Sequence, residues 1–219
     1  ADILILNGAD YDTWFVRLLS VKATGKAVIV INVAELVGVK AGANPHLWYN
    51  LSYVSQFATA LTQEYERRLP KQKATFDARL HAFLSDQQQL NAEVAELKEH
   101  AHGLSVTATE PVAAYLAEDL GLVMLDQAFQ LAVMNDAEPS AKSRAQFEQH
   151  LKNKQVRALI YNQQVQDPVT EFMQKLSKEE GIPVIGVTEL LPKDQTYTAW
   201  YRQTLDKFRL GLMRRNPLN

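Results

Sequence analysis

Short apolar runs alternate with longer helical stretches along most of this chain, and this alternation limits the fold more than any other feature. The first run, Ile3 to Leu6, ends at Asn7-Gly8, a pair of residues typical of turns. Short strands that alternate with helices predict parallel α/β units. The predicted strands are 3–6, 27–31, 104–108, 122–125, 158–161 and 183–187, and the predicted helices include 11–19, 112–120, 140–153, 168–180 and 198–212.

One long stretch between the second and third runs contains no strand pattern. It begins with a loop that enters a helix over 45–68, and its second part predicts a helix of about six turns with one narrow apolar face. A coiled-coil segment is one interpretation, but we favour a rigid helix that joins two lobes. The predicted fold is therefore two α/β lobes with parallel sheets, an N-terminal lobe over 1–75, a linking helix over 76–103 and a C-terminal lobe over 104–219. The narrow face consists of Leu80, Phe83, Gln87, Leu90, Val94, Leu97 and Ala101.

Charge and motif content argue against several classes of function. A formal net charge of -2 and a pI near 6.2 give no electrostatic case for nucleic acid or for an anionic membrane as a partner. The absence of cysteine excludes disulfides and thiolate metal sites. No nucleophile elbow, phosphate-binding loop or dinucleotide fingerprint is present. An enzyme that uses Glu110 and His46 as an acid–base pair is the weaker interpretation, and we expect no catalytic activity.

Polar residues follow the ends of several predicted strands. Asn7 follows the first strand, Glu110 the third, Asn162 and Gln163 the fifth, and Glu189 the sixth. Ligands of open parallel sheets bind beyond the carboxyl ends of the strands. Two carboxylates at this edge of one sheet can face a shared point, although a glutamate after a strand is more often a helix-start charge.

A histidine in the segment Asn44-Pro45-His46-Leu47-Trp48 is the other candidate for chemistry. The proline restricts the backbone before the imidazole, and Trp48 can form a wall on one side of it. A fixed imidazole near carboxylates suits a divalent metal such as zinc, manganese or iron, and the carboxylates favour the harder ions. A single histidine in a loop is, however, more often a surface residue than a ligand.

These segments together resemble the cluster A-I, or TroA/ZnuA-like, periplasmic zinc and manganese binding proteins of ABC importers. Residues 1–8, Ala-Asp-Ile-Leu-Ile-Leu-Asn-Gly, are similar to the A-D-L-V-x-x-N-G strand of that family. Residues 44–48 are similar to its D/N-P-H-x-W loop, whose His is a metal ligand. Glu110 to Tyr115 matches its H/E-x-x-x-x-Y segment, whose first position is a ligand, and Glu189 falls where the family has a ligating Asp.

The resemblance implies a periplasmic or otherwise extracytoplasmic solute-binding protein. It implies that the chain captures manganese or zinc as its transported ligand, with His46, Glu110 and Glu189 as metal ligands drawn from both lobes, and passes it to the membrane subunits of an ABC permease. Glu110 in place of the alternative His, and the lack of a His-rich loop, favour manganese. The alternative function is that of a degenerate family member, a metal-independent adhesin or partner-binding module.

The family's first ligand, a His in a P-H-x-Y/F-E-P motif, is expected upstream of the A-D-L strand, which is the first strand here. We therefore expect that the N-terminal lobe is incomplete here and lacks a strand–helix–strand unit, either because this sequence is truncated or because the gene product itself is. If the protein is exported, its signal peptide has been removed or lies outside this sequence. Intact relatives are mostly monomers. A lobe without that unit would expose a sheet edge, and such an edge invites dimerisation.

Overall fold

Parallel strands alternate with helices in this computed structural model, which describes residues 1–21, 28–165 and 167–213. The chain divides into a first unit, Ala1–Gln88, and a second unit, Gln89–Asn219. The predicted α/β class with parallel sheets and a long helix is thereby confirmed. Within the described ranges, every helix is too short or too polar to cross a lipid bilayer.

Strands β1 (Ile3–Leu6) and β2 (Ile29–Asn32) of the first unit pair in parallel, so that Ile3 lies opposite Ile29. The predicted start of the second strand, Ala27, lies outside the described residues. The continuous apolar runs predict that both strands are buried. This prediction is wrong, because Ile5 is 47% exposed and Val30 51% exposed. These two side chains lie on opposite faces of the two-stranded ribbon, so the described residues leave both faces partly uncovered.

Two of the helices described in the first unit begin at asparagine caps. Helix α1 (Thr13–Val21) connects the two strands, and α2 (Val33–Leu36) follows β2 directly. After a 3-10 turn at Leu47–Tyr49, α3 (Leu51–Arg68) begins where the Asn50 side chain accepts a hydrogen bond from a backbone N–H of the first turn. Such a cap satisfies one of the four N–H groups that a helix start leaves without a partner.

Helix α4 (Lys73–Ala101) is the long helix that the spacing predicts, and it starts three residues earlier than expected. The boundary between the two units lies within it, after Gln88. The predicted apolar face is confirmed, since one side of the helix is buried while the remaining positions are mostly exposed. The buried positions are Gln87, Leu90, Val94, Leu97 and Ala101, and Leu80 and Phe83 are half-buried.

Four parallel strands form the sheet of the second unit in the order β4-β3-β5-β6. Each strand lies within two residues of its prediction. One helix, over Gln127–Met134, was not predicted, because Asp126 before it adopts a left-handed conformation and makes no side-chain cap. The strands are β3 (Ser105–Ala108), β4 (Val123–Met124), β5 (Leu159–Asn162) and β6 (Val184–Val187), and the helices are α5 (Ala114–Asp119), α6 (Gln127–Met134), α7 (Ala141–Lys152), α8 (Pro168–Glu179) and α9 (Tyr197–Met213).

Aromatic and aliphatic side chains from α6, α7, α8 and β5 fill the core of the second unit. The rings of Phe129 and Phe147 are fully buried, with centroids 4.7 Å apart. Helix α8 begins where the Asp167 carboxylate accepts hydrogen bonds from the N–H groups of Val169 and Thr170 at 2.8 and 3.1 Å. This packing holds the strands in place. The polar residues of the unit then lie at the carboxyl ends of the strands.

Helix α9 packs closely against the edge strand β6. A Cβ atom at Gly211 would come within 2.5 Å of Cγ1 of Ile185, a side chain that is 2% exposed. Nearby, the Lys207 ammonium donates a hydrogen bond to the Gly186 carbonyl at 3.0 Å, and a lysine at an edge strand discourages pairing with another chain.

Gly211→Ala is expected to destabilise the protein, although alanine is the better helix former. The added methyl group must displace Ile185 from a packed position, which costs about 1–3 kcal/mol. Urea unfolding followed by circular dichroism measures this loss. Leu210→Ala, at a side chain on the same helix that is 67% exposed, should change stability by about 0.5 kcal/mol or less. A Gly211→Ala variant more stable than the parent would contradict the close packing of α9 on β6.

Candidate metal centre

The strand order of the second unit brings three predicted polar residues to one edge of the sheet. Because β5 pairs with β3 on one side and with β6 on the other, the residue that ends β5 lies between those that follow β3 and β6. Asn162 ends β5, Glu110 follows β3, and Glu189 follows β6. The expected convergence of the two glutamates on a shared point is therefore seen in the structure.

The shared point is the side-chain amide of Asn162. Its Nδ2 atom donates to Oε2 of Glu110 at 3.4 Å and to Oε2 of Glu189 at 3.3 Å. Its Oδ1 atom accepts a hydrogen bond from the backbone N–H of Gln164 at 3.0 Å. Because a backbone N–H needs an acceptor and a carboxylate needs a donor, these three contacts fix the orientation of the amide.

Glu110 is a buried carboxyl group, with only 7% of its surface exposed. Its Oε1 atom has no hydrogen-bond partner among the described residues. Burial raises the pKa of Glu110 above its ordinary value, and the negative charges of Glu189, Asp136 and Asp167 raise it further, whereas the hydrogen bond from Asn162 lowers it. The site thus holds a carboxylate that is shielded from solvent and that lacks a full set of donors among the described residues.

Glu189 lies in the loop after β6 and is half-buried. The residue before it is held by a hydrogen bond from Nε1 of Trp200 to Oγ1 of Thr188, at 2.7 Å. The residue after it is held by the Leu190 N–H, which donates to Oε1 of Gln164 at 2.8 Å. Two anchors therefore fix the backbone on either side of the carboxylate.

His46 in the first unit is 3% exposed, although a loop histidine is usually a surface residue. Its Nδ1 atom lies 2.6 Å from Oδ1 of Asn44, and the same oxygen accepts the His46 backbone N–H at 3.1 Å. Since Oδ1 accepts, Nδ1 carries the proton, and in the neutral ring the lone pair is then on Nε2. This tautomer is the one that coordinates a metal through Nε2.

The loop that carries His46 is tied to the end of β1. Nδ2 of Asn7 donates to the Pro45 carbonyl at 2.8 Å. The Trp48 ring lies edge-on to the imidazole, with centroids 5.4 Å apart, and Tyr11 lies at the same distance from Trp48. The predicted aromatic wall is therefore present, and it restricts the motion of the ring.

Glu110 and Glu189 thus meet in the second unit, and His46 occupies a preorganised loop of the first. Across the described residues, no group of three or more His, Asp or Glu side chains forms a cluster that could hold a metal ion. The three-ligand set therefore stays a prediction. Sequence reasoning missed the contacts that Asn44 and Asn162 make with the candidate ligands. An asparagine two residues before a histidine is a signal for the local contact of Asn44, whereas the contacts of Asn162 join residues far apart in the sequence.

Comparison with known proteins identifies relatives for nearly the whole chain. Residues 1–211 match the family described as zinc-uptake complex component A periplasmic, ZnuA. The zinc-binding lipoprotein AdcA of Streptococcus pneumoniae is 24% identical over an alignment that covers 90% of this chain and 42% of the relative. The chain therefore spans less than half the length of that relative.

Solved structures share the fold. The periplasmic zinc-binding protein TroA of Treponema pallidum superposes with a TM-score of 0.79, at 17% identity, over 98% of this chain and 82% of its own. The SBP FpvC of Pseudomonas aeruginosa in complex with Mn²⁺ has a TM-score of 0.75, at 18% identity, over 96% of this chain and 79% of its own. These likenesses identify the fold of the chain.

Glu110→Gln is expected to stabilise the metal-free protein at neutral pH. Because the folded-state pKa of this carboxyl is raised, its ionised form costs stability above that pKa, and the cost disappears as the pH falls below the unfolded-state pKa. Glutamine removes the charge at every pH and can still accept the hydrogen bond from Asn162. In chelator, the variant should have the higher Tm at about pH 8, and the two proteins should converge toward about pH 4.

Each kcal/mol of this effect corresponds to a shift of about 2–4 °C in the Tm of a protein of this size. Glu118→Gln, at an exposed carboxylate on α5, serves as the control and should leave the Tm nearly unchanged at both pH values. A lower Tm for Glu110→Gln at about pH 8 would show that the carboxylate is stabilised rather than strained in the metal-free fold.

Proposed function

This chain belongs to the ZnuA family of periplasmic zinc-uptake components, and we propose that it captures a divalent transition metal outside the cytoplasm for delivery to an ABC importer. Its family and fold are those of solute-binding proteins rather than of enzymes. The metal is cargo in this proposal, and it must bind reversibly because it is handed on.

One observation carries the proposal. Glu110 is buried, its Oε1 atom accepts no hydrogen bond from the described residues, and a second carboxylate shares the same amide donor. A buried carboxylate without a full set of donors is unfavourable unless a cation completes it. A metal ion bound by Glu110 and Glu189 would supply the positive charge that balances the two carboxylates.

We propose Glu110 and Glu189 as oxygen ligands and Nε2 of His46 as a nitrogen ligand. Carboxylate and neutral imidazole together suit manganese and zinc, and the two carboxylates favour the harder manganese. Intrinsic affinity follows the Irving–Williams order and favours zinc at most sites, so selection of manganese would have to come from geometry and metal supply. AdcA of S. pneumoniae is named as zinc-binding, and FpvC was solved with Mn²⁺.

The membrane subunits of an ABC permease are the proposed partner, and the periplasm or an equivalent extracytoplasmic space is the proposed location. Both follow from the family, which is described as periplasmic and as a component of an uptake complex. A metal-independent role as an adhesin is the function that remains if the chain binds no metal.

Added manganese or zinc is expected to raise the Tm of the chelator-stripped protein. A ligand that binds only the folded state contributes about 2.7 kcal/mol at about 100 times its Kd. For a chain of this size, that corresponds to a Tm rise of about 5 °C or more. The rise should be much smaller in Glu110→Ala and in His46→Ala, and it should be reduced in Glu189→Ala, because each variant removes one proposed ligand.

Glu118→Ala provides the matched control, since it deletes an exposed carboxylate on α5 and should keep the full metal response. Calcium, which requires more oxygen ligands, should have little effect on the parent protein. If neither manganese nor zinc changes the Tm at any concentration at which the metal stays soluble in the buffer, the metal-receptor function is wrong for these 219 residues.

Metal affinity is expected to fall as the pH is lowered from neutral. Protons compete for the ligands, and because the pKa of Glu110 is raised, they compete at a higher pH than at an exposed carboxyl group. Protonation of the His46 imidazole acts in the same direction. Calorimetric titration with manganese between about pH 7.5 and about pH 4.5 tests this prediction. A manganese affinity that does not change over this pH range would argue against both ligands.

A further inference from the structure

The Asn162 amide does more than end a strand. We infer that Asn162 is a positioning residue of the proposed metal site, which holds Glu110 and Glu189 together in the metal-free protein by placing its two N–H donors where a cation would otherwise be needed. This inference rests on the proposed function, and it names the residue that prepares the site for the metal.

The two carboxylates need such a donor because they are close and incompletely solvated. Each Oε2 atom lies within 3.4 Å of the same nitrogen, Nδ2 of Asn162. Like charges at such separations repel strongly where water is excluded. Glu110 is buried and Glu189 is half-buried in a loop, so we expect loss of the amide to change the position of the Glu189 carboxylate relative to Glu110.

The backbone prevents the amide from turning over. Oδ1 of Asn162 accepts the N–H of Gln164, in a local turn that asparagine and aspartate form readily. A flip of the amide would break this bond and would place an oxygen against two carboxylates. The turn therefore keeps the N–H groups, and never the carbonyl, directed at Glu110 and Glu189.

The amide also leaves one oxygen for the metal. Asn162 binds Oε2 of Glu110, whereas Oε1 of the same carboxylate accepts no hydrogen bond from the described residues. A cation can bind through Oε1 while the amide keeps its hold on Oε2. Partners that orient ligating carboxylates in this way typically change metal affinity by about 10–100-fold when they are mutated.

A pair of substitutions separates this role from that of a simple turn residue. Asn162→Asp keeps an oxygen that can accept the Gln164 N–H, so the turn survives, but it replaces the bridging N–H donors with a third carboxylate. Asn162→Ala loses both the turn and the donors. Gln155→Glu is the matched control, because it adds the same charge at an exposed position of the same unit.

The Tm in chelator and the manganese affinity are then measured on the whole 219-residue chain. We expect Asn162→Asp to lower the metal-free Tm by about 4 °C or more, because the added charge repels Glu110 and Glu189. We expect Asn162→Ala to weaken manganese binding about 10–100-fold, and Asn162→Asp to strengthen it and to gain a Tm response to calcium, since a third carboxylate adds oxygen ligands.

The opposite effects of the two variants on metal affinity are the signature of a positioning donor. If Asn162→Asp matches the parent in metal-free Tm, in manganese affinity and in its lack of a calcium response, Asn162 is only a turn residue and the inference is wrong. A Gln155→Glu variant that reproduces the behaviour of Asn162→Asp would overturn it as well, because the effect would then come from net charge.

A further variant keeps this test separate from that of the proposed function. If the parent binds no metal, the receptor function is wrong, but the hydrogen bonds from Asn162 to Glu110 and Glu189 can still be tested in chelator. Glu110→Gln combined with Asn162→Asp should recover most of the Tm that Asn162→Asp loses, because one of the repelling charges is gone. Strictly additive effects of the two substitutions would show that Asn162 and Glu110 do not interact.

Discussion

The pairing of β5 with β3 on one side and with β6 on the other is the constraint on which the polar edge of the second unit depends. Parallel strands end at the same edge of a sheet, so this strand order by itself places Asn162 between Glu110 and Glu189. The strands hold their register because α6, α7 and α8 pack against the sheet and bury an aromatic and aliphatic core. Packing of apolar side chains therefore determines where two carboxylates meet.

Asparagine side chains orient the candidate ligands in both units. In the first unit, Asn44 accepts from Nδ1 of His46 and selects the tautomer whose Nε2 can bind a metal. In the second, Asn162 donates to Glu110 and Glu189. The same side chain serves opposite needs, because an amide offers an acceptor to an imidazole and donors to a carboxylate. In each case a bond to nearby backbone fixes which end of the amide is presented.

The sequence predicts the strands, the long helix and the three candidate residues because each has a local signal: an apolar run, a spacing of three and four, or a polar residue after a strand. It does not predict that β1 and β2 leave Ile5 and Val30 exposed, since that depends on how many strands the sheet has. It also misses α6, whose start at Asp126 lacks a cap. The contacts of Asn162 follow from strand order, which no local pattern contains.

A neutral donor between two carboxylates suits the proposed binding and release of a cation. A lysine at position 162 would hold Glu110 and Glu189 more tightly, but its full charge would compete with the metal for the same oxygens. An apolar residue would leave the carboxylates to repel each other, so that the metal would have to reassemble the site at a cost in affinity. The amide lies between these extremes: it keeps the oxygens in place in the metal-free protein, while Oε1 of Glu110 accepts no hydrogen bond from the described residues. The strength of such a site is then set by how little the protein must rearrange, and this property can be tuned by a side chain that never touches the metal.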